Sequence, residues 1–267
     1  MKRLLLVVIF VLLLVSGCSR KNTIDDKVIV VGASTTPHAE ILELCRPYLE
    51  EAGYELKIVE YTDYVTPNLS LASGDLDANF FQHQPYLTQF NESNGTDLSS
   101  VLAVHFEPLG LYQGTGEALA DIENGSTIAV PNDATNCARA LYLLSQLGLI
   151  TIDSSKGLLA TEQDIITNPK NLVITALEAA SIPAQLAGFD YAVINGNVAL
   201  ASGINQNKRL GTEDPESLAA TTYANIVVVR TGDEEAPAIA ALVASLQQDL
   251  IAEYIIENYG GLVLPVA

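Results

Sequence analysis

Apolar positions along the chain fall into short continuous runs that alternate with stripes at helical spacing. The sharpest pair lies near the middle. Residues 127–130 (TIAV) form an apolar run that predicts a buried strand, and Cys137, Ala140, Leu141, Leu144 and Leu147 then recur at i, i+3, i+4, i+7 and i+10, one face of a helix over 134–147 that stops at Gly148. The same alternation appears on both sides. Upstream, 27–31, 56–60 and 77–81 read as strands. Between them lie helices over 37–52, kinked at Pro47, and 64–71, interrupted by Pro67. A further helix starts within 82–90, and two apolar runs, 101–106 and 109–112, are split by Glu107 and Pro108. Downstream come strands over 172–175 and 190–194 with a helix over 177–187 between them, preceded by an amphipathic helical turn over 161–169. A β-branched strand, 223–230, and two helices, 235–248 and 249–259, close the chain.

Strand, helix, strand in sequence with short turns implies parallel pairing through right-handed crossovers. The pattern occurs twice without repeating any sequence. If 109–112 carries the chain out of the first set, 223–230 is the route back. The expected architecture is therefore α/β and two-lobed, each lobe a mixed, mostly parallel sheet flanked by helices. One lobe comprises 27–108 plus 226–267 and the other 109–225, with a ligand cleft between them where strand ends and helix starts converge.

The amino terminus adds a targeting signal. Two basic residues precede an apolar run from Leu4 to Val15, shorter than the ~20 residues of a membrane-spanning helix, so 1–17 read as a secretory leader. Leu14-Val15-Ser16-Gly17-Cys18 resembles a bacterial lipobox, in which Cys18 is lipidated and 18–26 serve as a tether on the extracytoplasmic face of a membrane. Loss of Lys2 and Arg3 with the leader takes the net charge from −19 to −21, a surface that repels nucleic acid and anionic lipid. With 49% hydrophobic residues the acidic chain still has the means to bury a core.

Motifs with a catalytic mechanism are missing. Gly114-Thr115-Gly116 lacks the third glycine of a phosphate-binding turn, and there is no nucleophile elbow or zinc motif, so neither enzymatic activity nor a cofactor is expected. His38, His83 and His105 lie 45 and 22 positions apart, at no metal-ligand spacing, and no metal is expected. Cys45 and Cys137 occupy apolar helix positions and read as buried thiols, with a disulfide between them left open.

Four features carry candidate chemistry. Arg139 lies off the helical stripe near a helix start, where a cation calls for an anion, either a carboxylate of the chain such as Asp133 or one on a ligand. Seven of the 17 Tyr and Phe residues fall between Tyr54 and Phe90, and Phe81, His83 and Tyr86 sit where a strand end turns into a helix. Such aromatic walls suit an apolar or thioether side chain. Asn195 follows a strand directly, and Asn225 lies inside the strand YANIVVV, where an amide needs a hydrogen-bonding partner.

These residues carry a resemblance that runs in order through most of the chain beyond the leader. The lipobox at Cys18, VGASTTPHAEIL from Val31, YTDYVTPNLSLASGDLDANFFQHQPYL from Tyr61, EPLGLY from Glu107, IAVPNDATNCARALYLL from Ile128, NPKNLVITALEAASIPAQL from Asn168, DYAVINGN from Asp190 and YANIVVV from Tyr223 resemble the methionine-binding lipoproteins of bacterial ABC importers, the NlpA/MetQ type. The resemblance implies a type II periplasmic-binding-protein fold gripping a free amino acid, L-methionine, for delivery to a membrane permease and its ATPase. It implies a monomer that catalyses no reaction. By the same resemblance, Arg139 pairs with the ligand carboxylate and Asn195 and Asn225 hold the head group. Tyr64, Phe81, His83 and Tyr86 surround the side chain, and Tyr61 and Asn136 are adjacent candidates. Ala134 and Ala138 stand where the family commonly has Pro and Gly, and Val198 where an aromatic is frequent. Those departures bear on pocket shape, leaving open another amino acid, a methionine-containing dipeptide, or a surface adhesin that kept the fold.

Overall fold

The computed structural model describes residues 27–216 and 221–266, so the leader and the lipobox at Cys18 lie outside the described residues. Two sheets with separate cores form the two lobes. In the first, β1 (Val28–Ser34) pairs in parallel with β2 (Glu55–Tyr61) and β3 (Ala78–His83). The crossovers run through α1 (Glu40–Glu43), α2 (Arg46–Glu51) and α3 (Thr66–Ser73), and α4 (Gln84–Asn94) leads to β4 (Leu98–Phe106).

The chain then crosses at 107–109 into the second sheet. There β5 (Gly110–Gln113), β6 (Thr127–Pro131), β9 (Val173–Leu177), β10 (Tyr191–Ile194) and β11 (Arg209–Thr212) run in the order β11-β5-β10-β6-β9. Its main helices are α5 (Ala134–Gln146), α6 (Ile182–Gln185) and α7 (Gly196–Ala201), and β7 (Thr151–Ile152) pairs with β8 (Ile165–Thr167) apart from the sheet. The chain returns through β12 (Ala224–Arg230), which inserts between β3 and β4. Helices α8 (Pro237–Leu246) and α9 (Asp249–Tyr259) and the edge strand β13 (Leu264–Pro265) complete the first lobe.

Alternating burial explains the layers. Ile29, Val31, Phe80, Val227 and Val229 of the first sheet pack against Leu42 and Leu49 on one side of the sequence and Ile239, Leu242 and Ile255 on the other, all fully buried. In the second lobe Ile128, Val130 and Val193 meet Leu141 and Leu144, the stripe expected of α5, while Ala129, Ala192 and Ile194 on the opposite sheet face meet Ile182 and Leu186.

Several elements differ from their expected form for identifiable reasons. Parallel pairing covers β1 with β2 and β3, and β6 with β9 and β10. The remaining pairs, including β12 with both neighbours, are antiparallel, so the sheets are evenly mixed rather than mostly parallel. The helix expected over 37–52 breaks between α1 and α2 because Pro47 sits in the first turn of a new helix. Pro67 likewise begins α3 rather than interrupting it. Residues 82 and 83 belong to β3, so α4 starts two positions late. The helix expected over 177–187 gives way to the end of β9 and short turns around α6, since Glu178 caps the turn with its side chain and Pro183 restarts the helix. The turn expected over 161–169 contains only the three-residue turn Glu162–Asp164 before β8. Strand β12 starts at Ala224, which pairs with Phe106, and Asn225 pairs with His105. Both residues thus lie in the first sheet, not in the second lobe as a boundary at 225 would have it.

Candidate functional site

The lobes meet over a narrow, partly open pocket lined by side chains of both. Of the nine residues expected at a site, eight line it: Tyr64, Phe81, His83, Tyr86, Asn136, Arg139, Asn195 and Asn225. Tyr61 does not. Its ring packs beside Gly32 and Leu76 on the first sheet and borders a separate crevice. Gln82, Glu107, Gly196 and Asn197 also line the pocket and were not expected.

Arg139 is 3% exposed, held within α5 and not at the surface. Its Nε donates to Glu213 Oε1 at 2.7 Å and Nη2 to Glu213 Oε2 at 2.6 Å, a two-pronged ion pair, while Nη2 also donates to the Glu107 carbonyl at 2.8 Å. The guanidinium lies 4.4 Å from the Tyr223 ring centroid and 5.4 Å from that of Phe106. One fork edge is thus taken by the chain itself, and Nη1 is the remaining donor. Asp133, the partner considered first from the sequence, instead caps α5 by accepting from the Asn136 amide at 2.9 Å.

From that cap a chain of amides runs across the cleft. Asn136 Nδ2 donates to both Asp133 oxygens at 3.0 and 3.1 Å, and its Oδ1 meets His83 Nε2 at 3.2 Å and accepts from Asn195 Nδ2 at 3.1 Å. His83 Nδ1 accepts from the Tyr86 amide at 3.2 Å, which places the ring proton on Nε2 and makes it the donor to Asn136. Asn136 is therefore fully occupied as a hub. Asn195 is not: its Oδ1 is buried and has no partner among the described residues. Asn225 Oδ1 faces His38 Nε2 at 2.9 Å.

The far wall is aromatic. Tyr64, Phe81 and Tyr86 stand 6.0 to 6.2 Å apart between ring centroids, and the Tyr86 hydroxyl donates to the Tyr64 carbonyl at 2.8 Å. A buried amide cluster behind it fixes the wall. Gln82 Nε2 donates to Asn68 Oδ1 at 2.6 Å and Asn79 Oδ1 at 2.9 Å, tying α3 to β3.

Below the pocket floor the fold gathers what the sequence kept far apart. His38, His105 and Glu107 converge, with His105 Nε2 at 2.7 Å and His38 Nε2 at 3.4 Å from Glu107 Oε1. Three such groups are a conceivable metal set, contrary to the spacing argument. Yet Nδ1 of each imidazole is buried without a partner among the described residues, whereas metal-bound histidines anchor that second nitrogen. The arrangement suits N–H donation instead, from His105 Nε2 to the Glu107 carboxylate and from His38 Nε2 to Asn225 Oδ1.

Burial holds the His105 pKa down at about 3 and that of His38 at about 4, His38 being lowered further by His105 and opposed by Glu107. Burial and then Arg139 hold His83 at about 3. Burial pushes the Glu107 carboxyl up, opposed chiefly by His38. All three imidazoles are neutral in the fold and have an unfolded pKa of about 6.5, so the unfolded chain binds more protons once pH drops below that value. Glu107 acts in the opposite sense, one group against three. The urea midpoint is expected to fall as pH goes from 7 to 5, above the range in which the depressed carboxylates titrate. A flat or rising midpoint over that interval would contradict the buried neutral histidines.

A family model described as NlpA lipoprotein matches residues 29–267. The methionine-binding lipoprotein MetQ of Bacillus subtilis is 39% identical over 258 residues, covering 94% of this chain and 93% of that one. The D-methionine-binding lipoprotein MetQ of Escherichia coli is 36% identical over 241 residues, covering 89% and 87%. The structure of a nutrient binding protein from Burkholderia cenocepacia bound to methionine superposes with a TM-score of 0.84 at 36% identity, covering 90% of this chain and all of that one. With the matching motifs, the two-lobed α/β fold and this coverage together, the chain belongs to the NlpA lipoprotein family.

Proposed function

We propose that the protein is a lipid-anchored binding protein that captures a free amino acid, L-methionine foremost, outside the cytoplasm and hands it to an ABC permease and its ATPase. The observation that carries this reading is the unpartnered Asn195 Oδ1, 7% exposed as a residue, in a pocket also lined by Arg139, whose Nη1 is outside the bonds that Nε and Nη2 make to the described residues. An acceptor left alone in such a place loses about 1 to 3 kcal/mol unless a ligand donor meets it.

The charges fit a zwitterion. Glu213 neutralises Arg139, leaving the Glu107 carboxylate as the pocket's excess negative charge, near which an ammonium is favoured. Asn195 Oδ1 then accepts from the ligand ammonium, Arg139 Nη1 donates end-on to its carboxylate, and the amide group of Asn225 supports the head group. Tyr64, Phe81 and Tyr86 enclose the thioether side chain, with sulfur-to-ring contacts of about 0.3 to 1.5 kcal/mol each. The names of the relatives, methionine in one and D-methionine in another, support the ligand class. The protein acts as a monomer, without a cofactor and without catalysing a reaction. The lobes 27–108 with the returning segment, and 109 to the start of β12, close as two bodies around the ligand.

Calorimetry against a panel of amino acids is expected to show binding of L-methionine, with D-methionine and short methionine peptides in the same panel to define selectivity. No heat with L-methionine would overturn the assignment. Asn195→Ala is expected to weaken L-methionine binding about 10- to 100-fold, the range of a hydrogen bond to a charged group, and an unchanged affinity would remove Asn195 from the ligand. Cys18→Ala is expected to move the protein from the membrane fraction to the soluble extracytoplasmic fraction. Retention at the membrane would contradict the lipid anchor.

A further inference from the structure

Asn197 was not among the residues expected at the site, yet it makes three bonds that cross or border the cleft. It lies in the first turn of α7, in the second lobe. Its Oδ1 accepts from the Tyr64 hydroxyl at 2.7 Å and its Nδ2 reaches Ser34 Oγ at 3.4 Å, both groups of the first lobe. Its backbone N–H donates to Glu107 Oε2 at 2.6 Å.

Glu107 is the first residue of the crossing between sheets, and its other oxygen receives His105 of β4 and faces His38 of the turn after β1. One buried carboxylate thus joins His105 of the first lobe to the second lobe's α7, with His38 beside it. The approach depends on a missing side chain: a Cβ at Gly196 would stand 2.8 Å from Glu107 Cβ and 3.1 Å from its Oε2. His38 also faces Asn225 Oδ1, on the strand that forms the return crossing, so the network touches both connections between the lobes and the pocket itself.

We propose that Asn197 is a latch residue that holds the closed cleft, and that Glu107 is the positioning residue that presents it to Tyr64 and Ser34. The inference rests on reading the cleft as the ligand site. Bonds made between the lobes only in the closed form slow opening more than they affect encounter, so they act on ligand release. The latch also supplies specificity of shape, because the bond from Tyr64 to Asn197 forms only when the aromatic wall is in place.

Stopped-flow kinetics with L-methionine test this. Asn197→Ala is expected to raise the dissociation rate about tenfold or more while the association rate stays within about threefold. Glu107→Ala is expected to act in the same direction. Glu107→Gln, which keeps one acceptor for the Asn197 amide, should recover part of the loss, an outcome that a general packing defect would not give. An unchanged dissociation rate in Asn197→Ala overturns the latch. A second readout needs no ligand: hydrogen exchange of the Asn197 amide in the wild-type protein is expected to be slow and to become at least about tenfold faster in Glu107→Ala. Equal exchange in the two proteins overturns the role of Glu107 whatever the cleft binds, and failure of the wild type to bind L-methionine overturns the ligand assignment alone. If circular dichroism shows Glu107→Ala to be unfolded, Gly196→Ala replaces it in both measurements, with the same outcomes expected from displacement of α7.

Discussion

A guanidinium at 3% exposure is tenable only with a counter-charge, and the Arg139–Glu213 pair is the constraint on which the cleft depends. Burying two charges costs several kcal/mol per ion, recovered only where geometry is good and the remaining donors are satisfied. Here Glu213 takes Nε and Nη2 together, the Glu107 carbonyl takes Nη2 again, and Tyr223 covers a face of the group. Removing either partner would leave the other as an unpaired buried charge, a loss of about 3 to 5 kcal/mol in comparable cases. Such a pair is weak evidence for stability alone. Its location explains it better: it brings a fixed cation to the pocket with one donor unspent.

Polar groups around that cation are almost entirely used by one another. Asn136 gives both amide protons to Asp133 and takes two donors on its oxygen, His83 uses both ring nitrogens, and Glu107 uses both carboxylate oxygens. Rigid networks of this kind hold the few unspent groups in fixed positions. Among the described residues that line the pocket, Asn195 Oδ1 is left without a partner, and Arg139 Nη1 and the Asn225 amide nitrogen take no part in these bonds, an acceptor and two donors suited to the two ends of an amino acid. Neutral histidines contribute by being uncharged: three imidazoles in the first lobe would otherwise crowd positive charge around the pocket.

Elements with a strong local period were legible in the sequence. The stripe of α5 and the runs that became β1, β6, β10 and β12 owe their form to burial on one face or two, which periodicity reports directly. Broken helices were less so, because Pro47 and Pro183 start new helices as readily as they end old ones. At the site, the resemblance brought eight pocket residues together but also Tyr61, whose motif neighbours face the cleft while its own ring packs on the sheet. Glu107, Asn197 and Tyr223 lay inside quoted motifs, EPLGLY, DYAVINGN and YANIVVV, and could have been singled out as a polar residue at a crossing, an amide in a first helical turn and an aromatic entering a strand. Glu213 had no such signal. It meets Arg139 across 74 positions, and only the folded chain reveals which of 32 acidic residues does so.

The proposed binding mode divides the Arg139 guanidinium between an internal carboxylate and a ligand. A crystal structure of the protein with L-methionine tests that division most directly. The expected result is the amino acid between the lobes, its carboxylate on Nη1 with the Glu213 pair intact, its ammonium on Asn195 Oδ1, and its sulfur against Tyr64, Phe81 and Tyr86. A ligand carboxylate that displaces Glu213 and takes the Nε and Nη2 edge, or a ligand bound outside this pocket, would contradict it.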